Sequence, residues 1–226
     1  TPYYKEISEL HELYRKPGTW FLNICFEWGC TCRVATDLET GHMQILRVLD
    51  WPLEGLGAGL VAVHQDGPAG TYLNLTWPGF VGIVTGVAKG RFAAAINQAP
   101  MPSLGLGFYG DWLVGRIRLS RSRAMPAMHL LRYGFENAEN YKTSKHLLTT
   151  NPIAVPCIIT LAGTEPGQGC VIEHTGAQVR IHPAPATAAN HWLTEGLKGH
   201  ERGNRSRERA ELMEKSTPIS KNTLLD

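Results

Sequence analysis

Between residues 31 and 98 the chain is broken into short runs of strand-forming residues, each closed by a turn signal. This punctuation limits the fold more than any other feature. Residues 31–37 and 43–49 flank Glu39-Thr40-Gly41, so they predict a hairpin. Residues 59–64, 71–76, 80–87 and 91–98 predict further strands, with turns at Asp66-Gly67-Pro68 and Ala88-Lys89-Gly90. Short consecutive strands of this kind pair antiparallel.

Helical spacing frames the strands. Tyr4, Ile7, Leu10 and Leu13 predict an amphipathic helix that ends at Pro17-Gly18. Residues 20–28 are aromatic and apolar and read as extended chain running into Gly29. Residues 101–110, rich in Gly and Pro, predict a loop, and the basic stretch 119–123 a solvated face. Pro126 opens a helical region with Met128, Leu131 and Phe135 on one side, and a second helix covers 140–148. Residues 155–162, 169–173 and 178–182 return to strand, and 184–189 are a small-residue connection into Asn190-His191-Trp192. The last predicted helix is 206–214; beyond Lys215 the chain is polar and expected to fray. The class is α+β, in one domain over residues 1–226.

Composition narrows the function. A net charge of +2 gives no strong attraction to nucleic acid or anionic membrane, and no apolar run is long enough to span a bilayer. The first fifteen residues carry Glu6, Glu9 and Glu12 and no apolar core of a signal peptide. A cytoplasmic setting is slightly favoured, and a homo-oligomer is compatible with the sequence. Five cysteines, an odd number, argue against a disulfide framework. Cys25, Cys157 and Cys170 lie in apolar runs and read as small core residues. Cys30-x-Cys32 is a candidate metal or redox pair, but no second pair stands at zinc spacing. No metal or cofactor is expected. Asn74-Leu75-Thr76, a glycosylation sequon inside a strand, reads as chance.

Cys30 follows Gly29 at the start of the hairpin. To attack an amide, a thiol must ionise and the oxyanion must be stabilised. Its base is either a distant His or its own α-amine, the latter only after the Gly29–Cys30 bond is cut; an α-amine titrates near ~7.7–8.0. Side chains alternate along 43–49, so Ile45, Arg47 and Leu49 share a face, and Asp50 closes the strand. The hairpin therefore can bring Arg47 and Asp50 near Cys30, though the same two residues also fit an ordinary strand-end ion pair.

The run Cys30-Thr31-Cys32-Arg33-Val34-Ala35, then Gly41-His42 and Arg47-x-x-Asp50, resembles the start of the mature chain of the N-terminal-nucleophile (Ntn) cysteine amidases. That superfamily includes acid ceramidases, N-acylethanolamine acid amidases, bile-acid hydrolases and penicillin acyltransferases. The segments Trp77-Pro78-Gly79-Phe80-Val81-Gly82 with Asn97-Gln98, residues 187–192, and Ser206-Arg207-Glu208-Arg209 match in the same order. The resemblance implies an αββα four-layer sandwich with antiparallel sheets. It implies self-cleavage at Gly29–Cys30, with 1–29 a pro-segment covering the site or an alpha subunit, and 30–226 the catalytic part. The implied reaction is cleavage of a linear amide of a small N-acyl compound through a Cys30 thioester. Cys30 would be nucleophile and amine base, Arg47 would flank thiolate and carbonyl, and Asp50 would orient the α-ammonium. Asn190 would donate to the oxyanion, with Asn97 a second donor or a substrate contact. Arg207, or Arg209 in its place, would complete the polar network. The family continues with strands past the Ser-Arg helix, so a truncated or divergent member is expected, or one completed by another chain. Transfer to an acceptor other than water, and an inactive Ntn-fold protein, are the alternatives.

Overall fold

A computed structural model describes residues 1–16, 18–24, 29–50 and 55–215, with the side chains of Ile24 and Asp50 outside the description. Residues 25–28 of the expected extended segment, Cys25 among them, and the polar tail after Lys215 lie outside it too.

The described strands are β1 (Gly29–Thr36), β2 (Met43–Asp50), β3 (Val61–Gly67), β4 (Gly70–Thr76), β5 (Thr85–Ala88), β6 (Phe92–Gln98), β7 (Met101–Pro102), β8 (Cys157–Gly163), β9 (Gly169–His174), β10 (Val179–Pro183), β11 (Ala186–Ala188) and β12 (Gly199–His200). The helices are α1 (Tyr4–Tyr14), α2 (Thr19–Ile24), α3 (Gly107–Arg121), α4 (Ala127–Asn137), α5 (Tyr141–Thr150) and α6 (Ser206–Lys215). All strands pair antiparallel, in sheets ordered β10-β9-β8-β6-β5-β4-β3, β11-β1-β2 and β12-β7.

The β1–β2 hairpin forms where the turn residues require it. Asp37 Oδ1 accepts from Glu39 N at 2.9 Å, Gly41 N donates to Asp37 O at 2.8 Å, and Gly41 takes φ 73°. β8 and β9 are buried along their whole length, because packing covers both faces of the large sheet. On one face Ile96, Ile159, Leu161 and Ile172 meet Leu130, Leu131, Phe135 and Leu148 of α4 and α5. On the other, Ile158, Ala162 and Val171 meet Val34, Met43 and Ala188 of the three-stranded sheet. Gly169 permits this approach: a Cβ there would lie 2.3 Å from Met43 Cε and 2.9 Å from Val34 Cγ2. The outer side of β1 carries α6, where Arg33 Nη1 donates to Glu214 O at 2.6 Å.

Four sequence expectations change. Residues 20–24 are helical rather than extended, with Asn23 Nδ2 donating back to Thr19 O at 2.9 Å and across to Gly79 O at 2.8 Å. Only Thr85–Ala88 of the stretch 80–87 is strand. The connection at 184–189 contains β11, which pairs Cys32 with Ala188. The loop expected at 101–110 gives way after Leu106 to α3 over Gly107–Arg121, whose one buried residue is Asp111, while residues 119–123 are exposed, as expected of a solvated face. Asp111 accepts from Ser103 Oγ at 3.2 Å, Leu106 N at 3.2 Å and His200 Nε2 at 2.8 Å. A polar pin rather than an apolar stripe thus docks this helix.

Candidate active site

Cys30 is fully buried on the side of β1 that faces the large sheet. Arg47 stands opposite Cys32 in the hairpin register, so its side chain enters the same space. Its Nη2 donates to Cys30 Sγ at 3.3 Å and to Ile96 O at 3.0 Å, and its Nη1 to Val84 O at 2.6 Å. The carbonyls fix the fork, and the fork sets a positive charge against the sulfur.

Asn190 approaches the other end of Cys30. It is fully buried, and its Oδ1 accepts from Cys30 N at 2.9 Å and from Arg209 Nη2 at 2.9 Å. Its Nδ2 donates to Gln98 O at 2.9 Å, and its backbone N donates to Ser206 Oγ at 2.8 Å. Arg209 Nη1 also reaches Cys30 O at 2.9 Å and Thr31 Oγ1 at 2.8 Å. Gly203, at φ 72°, leaves room for this meeting: a Cβ there would lie 3.0 Å from both Arg209 Nη2 and Asn190 Oδ1.

Asn97 stands one step away. Its Nδ2 donates to Ala188 O at 3.1 Å and Ala189 O at 3.2 Å, and its Oδ1 accepts from Cys32 Sγ at 3.0 Å. Burial pushes the Cys32 thiol up to about 11, against a partial opposing pull from Arg47, so Cys32 stays a protonated donor. The four described cysteines carry no disulfide, and no cluster of three or more His, Cys, Asp or Glu fit for a metal stands among the described residues.

A cleft of about 1240 Å³ opens beside the Gly29–Cys30 junction. Gly29, Leu49, Met101, Phe108, Trp112 and Leu212 give it apolar surface, while His200, Glu201, Arg205 and Arg209 supply polar surface.

No family model matches the chain. Acid ceramidase of Bos taurus is 32% identical over 99 residues, which are 43% of this chain and 23% of the relative. N-acylethanolamine-hydrolyzing acid amidase of Oryctolagus cuniculus is 27% identical over 182 residues, 79% of this chain and 46% of the relative. The solved Caenorhabditis elegans N-acylethanolamine-hydrolyzing acid amidase ortholog superposes with a TM-score of 0.61 at 20% identity, covering 86% of this chain and 89% of that one. The chain is a distant homologue of the Ntn cysteine amidases. It shares their mixed α+β fold with antiparallel sheets, and spans less than half the length of these two curated relatives.

Among the residues that Ntn amidase resemblance singles out, Cys30, Arg47 and Asn190 converge. Gly29 lies opposite Asp50 in the register, and the expected Asp50 contact falls on a side chain outside the described residues. Asn97 reaches Cys32 and the end of β11, with both amide hydrogens engaged there. Arg207 stands apart: its guanidinium pairs with Glu201 on the exposed side of α6. The place given first to Arg207 is held by Arg209. Ser206 and Gln98 stand in the motifs quoted from the sequence but were given no role there, and Gly203 was not marked at all. Ser206 had a signal, because it heads the buried stripe Ser206, Ala210, Met213 of α6. α1 packs through Tyr3 and Ile7 against Val81, and no described residue before Gly29 lines the cleft.

Proposed function

We propose that this chain forms the catalytic core of an Ntn amidase with an αββα arrangement, α6 outside the small sheet and α4 with α5 outside the large one. One observation supports this most: the Asn190 side-chain oxygen lies 2.9 Å from the Cys30 nitrogen while the Arg47 guanidinium lies 3.3 Å from the Cys30 sulfur. The two atoms that an N-terminal cysteine would use, amine and thiol, each have a dedicated polar partner.

In this reading the Cys30 thiol first attacks the Gly29 carbonyl; the Gly29–Cys30 C–N bond breaks as the acyl group moves to sulfur, which frees the α-amine, and water then hydrolyses the thioester to release the Gly29 carboxylate and restore the thiol. That amine, titrating near ~7.7–8.0 when unperturbed, takes the thiol proton in each later cycle. Sulfur adds to the acyl carbonyl of an N-acyl amide, the protonated amine gives its proton to the leaving nitrogen, and water resolves the thioester. Asn190 Nδ2, which donates to Gln98 O, is the oxyanion donor when substrate is bound. Asp50 binds the α-ammonium. Asn97 holds the end of β11 and does not contact the oxyanion. The acyl group lies in the apolar part of the cleft, and the amine leaves past its polar rim.

Intact-mass analysis tests the reading. The wild-type protein should lose the bond between residues 29 and 30 on incubation and then hydrolyse fluorogenic N-acyl amides. Cys30→Ala should stay uncut, with no activity above background. A Cys30→Ala protein that still hydrolyses these amides would exclude Cys30 as nucleophile.

A further inference from the structure

Glu173 on β9 has no part in the reaction above, yet it is wholly buried. Val171 on the same strand faces the small sheet, and alternation turns Glu173 the same way. A buried carboxylate is costly unless donors surround it. Four do. Leu193 N donates to Oε1 at 2.5 Å, and Thr194 N at 3.1 Å, Thr194 Oγ1 at 2.5 Å and His182 Nε2 at 2.9 Å reach Oε2. Three of the four come from the segment that leaves Asn190.

That segment is pinned at both ends. Before Asn190, β11 pairs with β1, which carries Cys30, and Asn190 N is held by Ser206 of α6. After it, Leu193 and Thr194 are held by the large sheet through Glu173. The distance between the Asn190 amide and a carbonyl at Cys30 is therefore set by two separate layers of the fold. We propose that Glu173 is a positioning residue for Asn190: by clamping 193–194 it fixes the reach of the amide toward the developing oxyanion. This rests on the assignment of Asn190 as oxyanion donor. A displaced donor weakens the transition state more than the bound substrate, so the loss appears in kcat rather than KM.

Glu173→Gln keeps the shape and turns one acceptor into an amide facing donors. It should lower kcat by about 10- to 100-fold with KM within about twofold. Alkylation of Cys30 by iodoacetamide, which needs no oxyanion donor, should keep its wild-type rate within about twofold. Hydrogen exchange at the amides of 190–194 should rise at least about tenfold while β1 and β8 keep their protection. Thr194→Val, which removes one of the four bonds, should give a smaller kcat loss of about two- to fivefold, and Thr194→Ser should restore wild-type kcat. A Glu173→Gln kcat within twofold of wild type overturns the proposal, as does unchanged exchange at 190–194. A kcat loss matched by slower alkylation and raised exchange in β8 also overturns it, because the carboxylate would then hold the core at large. If Glu173→Gln does not fold, the Thr194 pair decides: equal kcat in Thr194→Val and wild type overturns the clamp. A wild-type protein without amidase activity sinks the function reading, and the exchange comparison still decides whether the clamp exists.

Discussion

Arg207 and Arg209 sit two residues apart on α6 and have different surroundings. Arg207 pairs with Glu201 in solvent, where an ion pair contributes little. Arg209 donates to Asn190, Cys30 and Thr31 from a half-buried position. Arg209→Ala would remove one of the donors that hold the Asn190 oxygen, together with the bonds to Cys30 O and Thr31, and should lower kcat/KM by about 100-fold or more. Arg207→Ala should leave kcat/KM within about twofold. Steady-state kinetics on one fluorogenic amide measure both, and a larger loss at Arg207 would overturn the assignment. The Ser-Arg-Glu-Arg run shows that an arginine is available, not which one turns inward. The inward face follows from Ser206, Ala210 and Met213 together, a stripe that Arg209 borders and Arg207 does not. Cys32 is a similar case. Spacing alone leaves a metal pair open, whereas its bond to Asn97 requires the cross-sheet geometry.

Among elements, the β1–β2 hairpin was legible because Asp37 and Gly41 encode its turn locally. α3 was not. Tyr109, Trp112, Leu113 and Ile117 do recur at helical spacing, but the Gly- and Pro-rich run at 101–110 overrode that signal, and because these side chains are exposed the pattern would not have shown how the helix docks. α1 was legible as a helix but not in its docking. Its partner is Arg132 of α4, which is 12% exposed and donates to Glu6 at 2.9 Å, Glu136 at 2.8 Å and Val81 O at 2.8 Å. The same guanidinium lies 4.3 Å from the Tyr3 ring centroid. Removing it leaves Glu136, largely shielded from solvent at 17% exposure, without its cation. Arg132→Met should therefore destabilise the fold by roughly 3 kcal/mol in urea titrations. In the cut protein, residues 1–29 should stay bound to the remainder on gel filtration, and Arg132→Met should release them. Retention in Arg132→Met would mean that the apolar contacts of Tyr3 and Ile7 suffice.

At the scale of the whole molecule, burial sets a pH window for stability. His129 lies in the core against Tyr3, and burial, with Arg132 nearby, pushes it down to about 4. Between about pH 6.5 and 4 the unfolded chain binds a proton there and the folded chain does not. Stability should fall as pH falls through this range, by about 3 kcal/mol in all. Burial lowers His174 and His191 as well, which steepens the same limb. On the alkaline side the sign reverses. Burial pushes the Cys32 thiol up to about 11 and Cys157 up to about 12. Above about pH 9 the unfolded chain has lost these protons while the folded chain keeps them, so stability should fall as pH rises. Two thiols give a slope of about 2.7 kcal/mol per pH unit up to about pH 11. Urea titrations from pH 4 to pH 11 measure both limbs. Cys157→Ala separates the alkaline cause from a general effect of high pH. It should shift the whole curve down by the cost of the lost methylene-sized packing, yet reduce the alkaline slope by about 1.4 kcal/mol per pH unit and leave the acid limb unchanged. An alkaline slope that survives Cys157→Ala intact would assign that limb to groups other than the buried thiols.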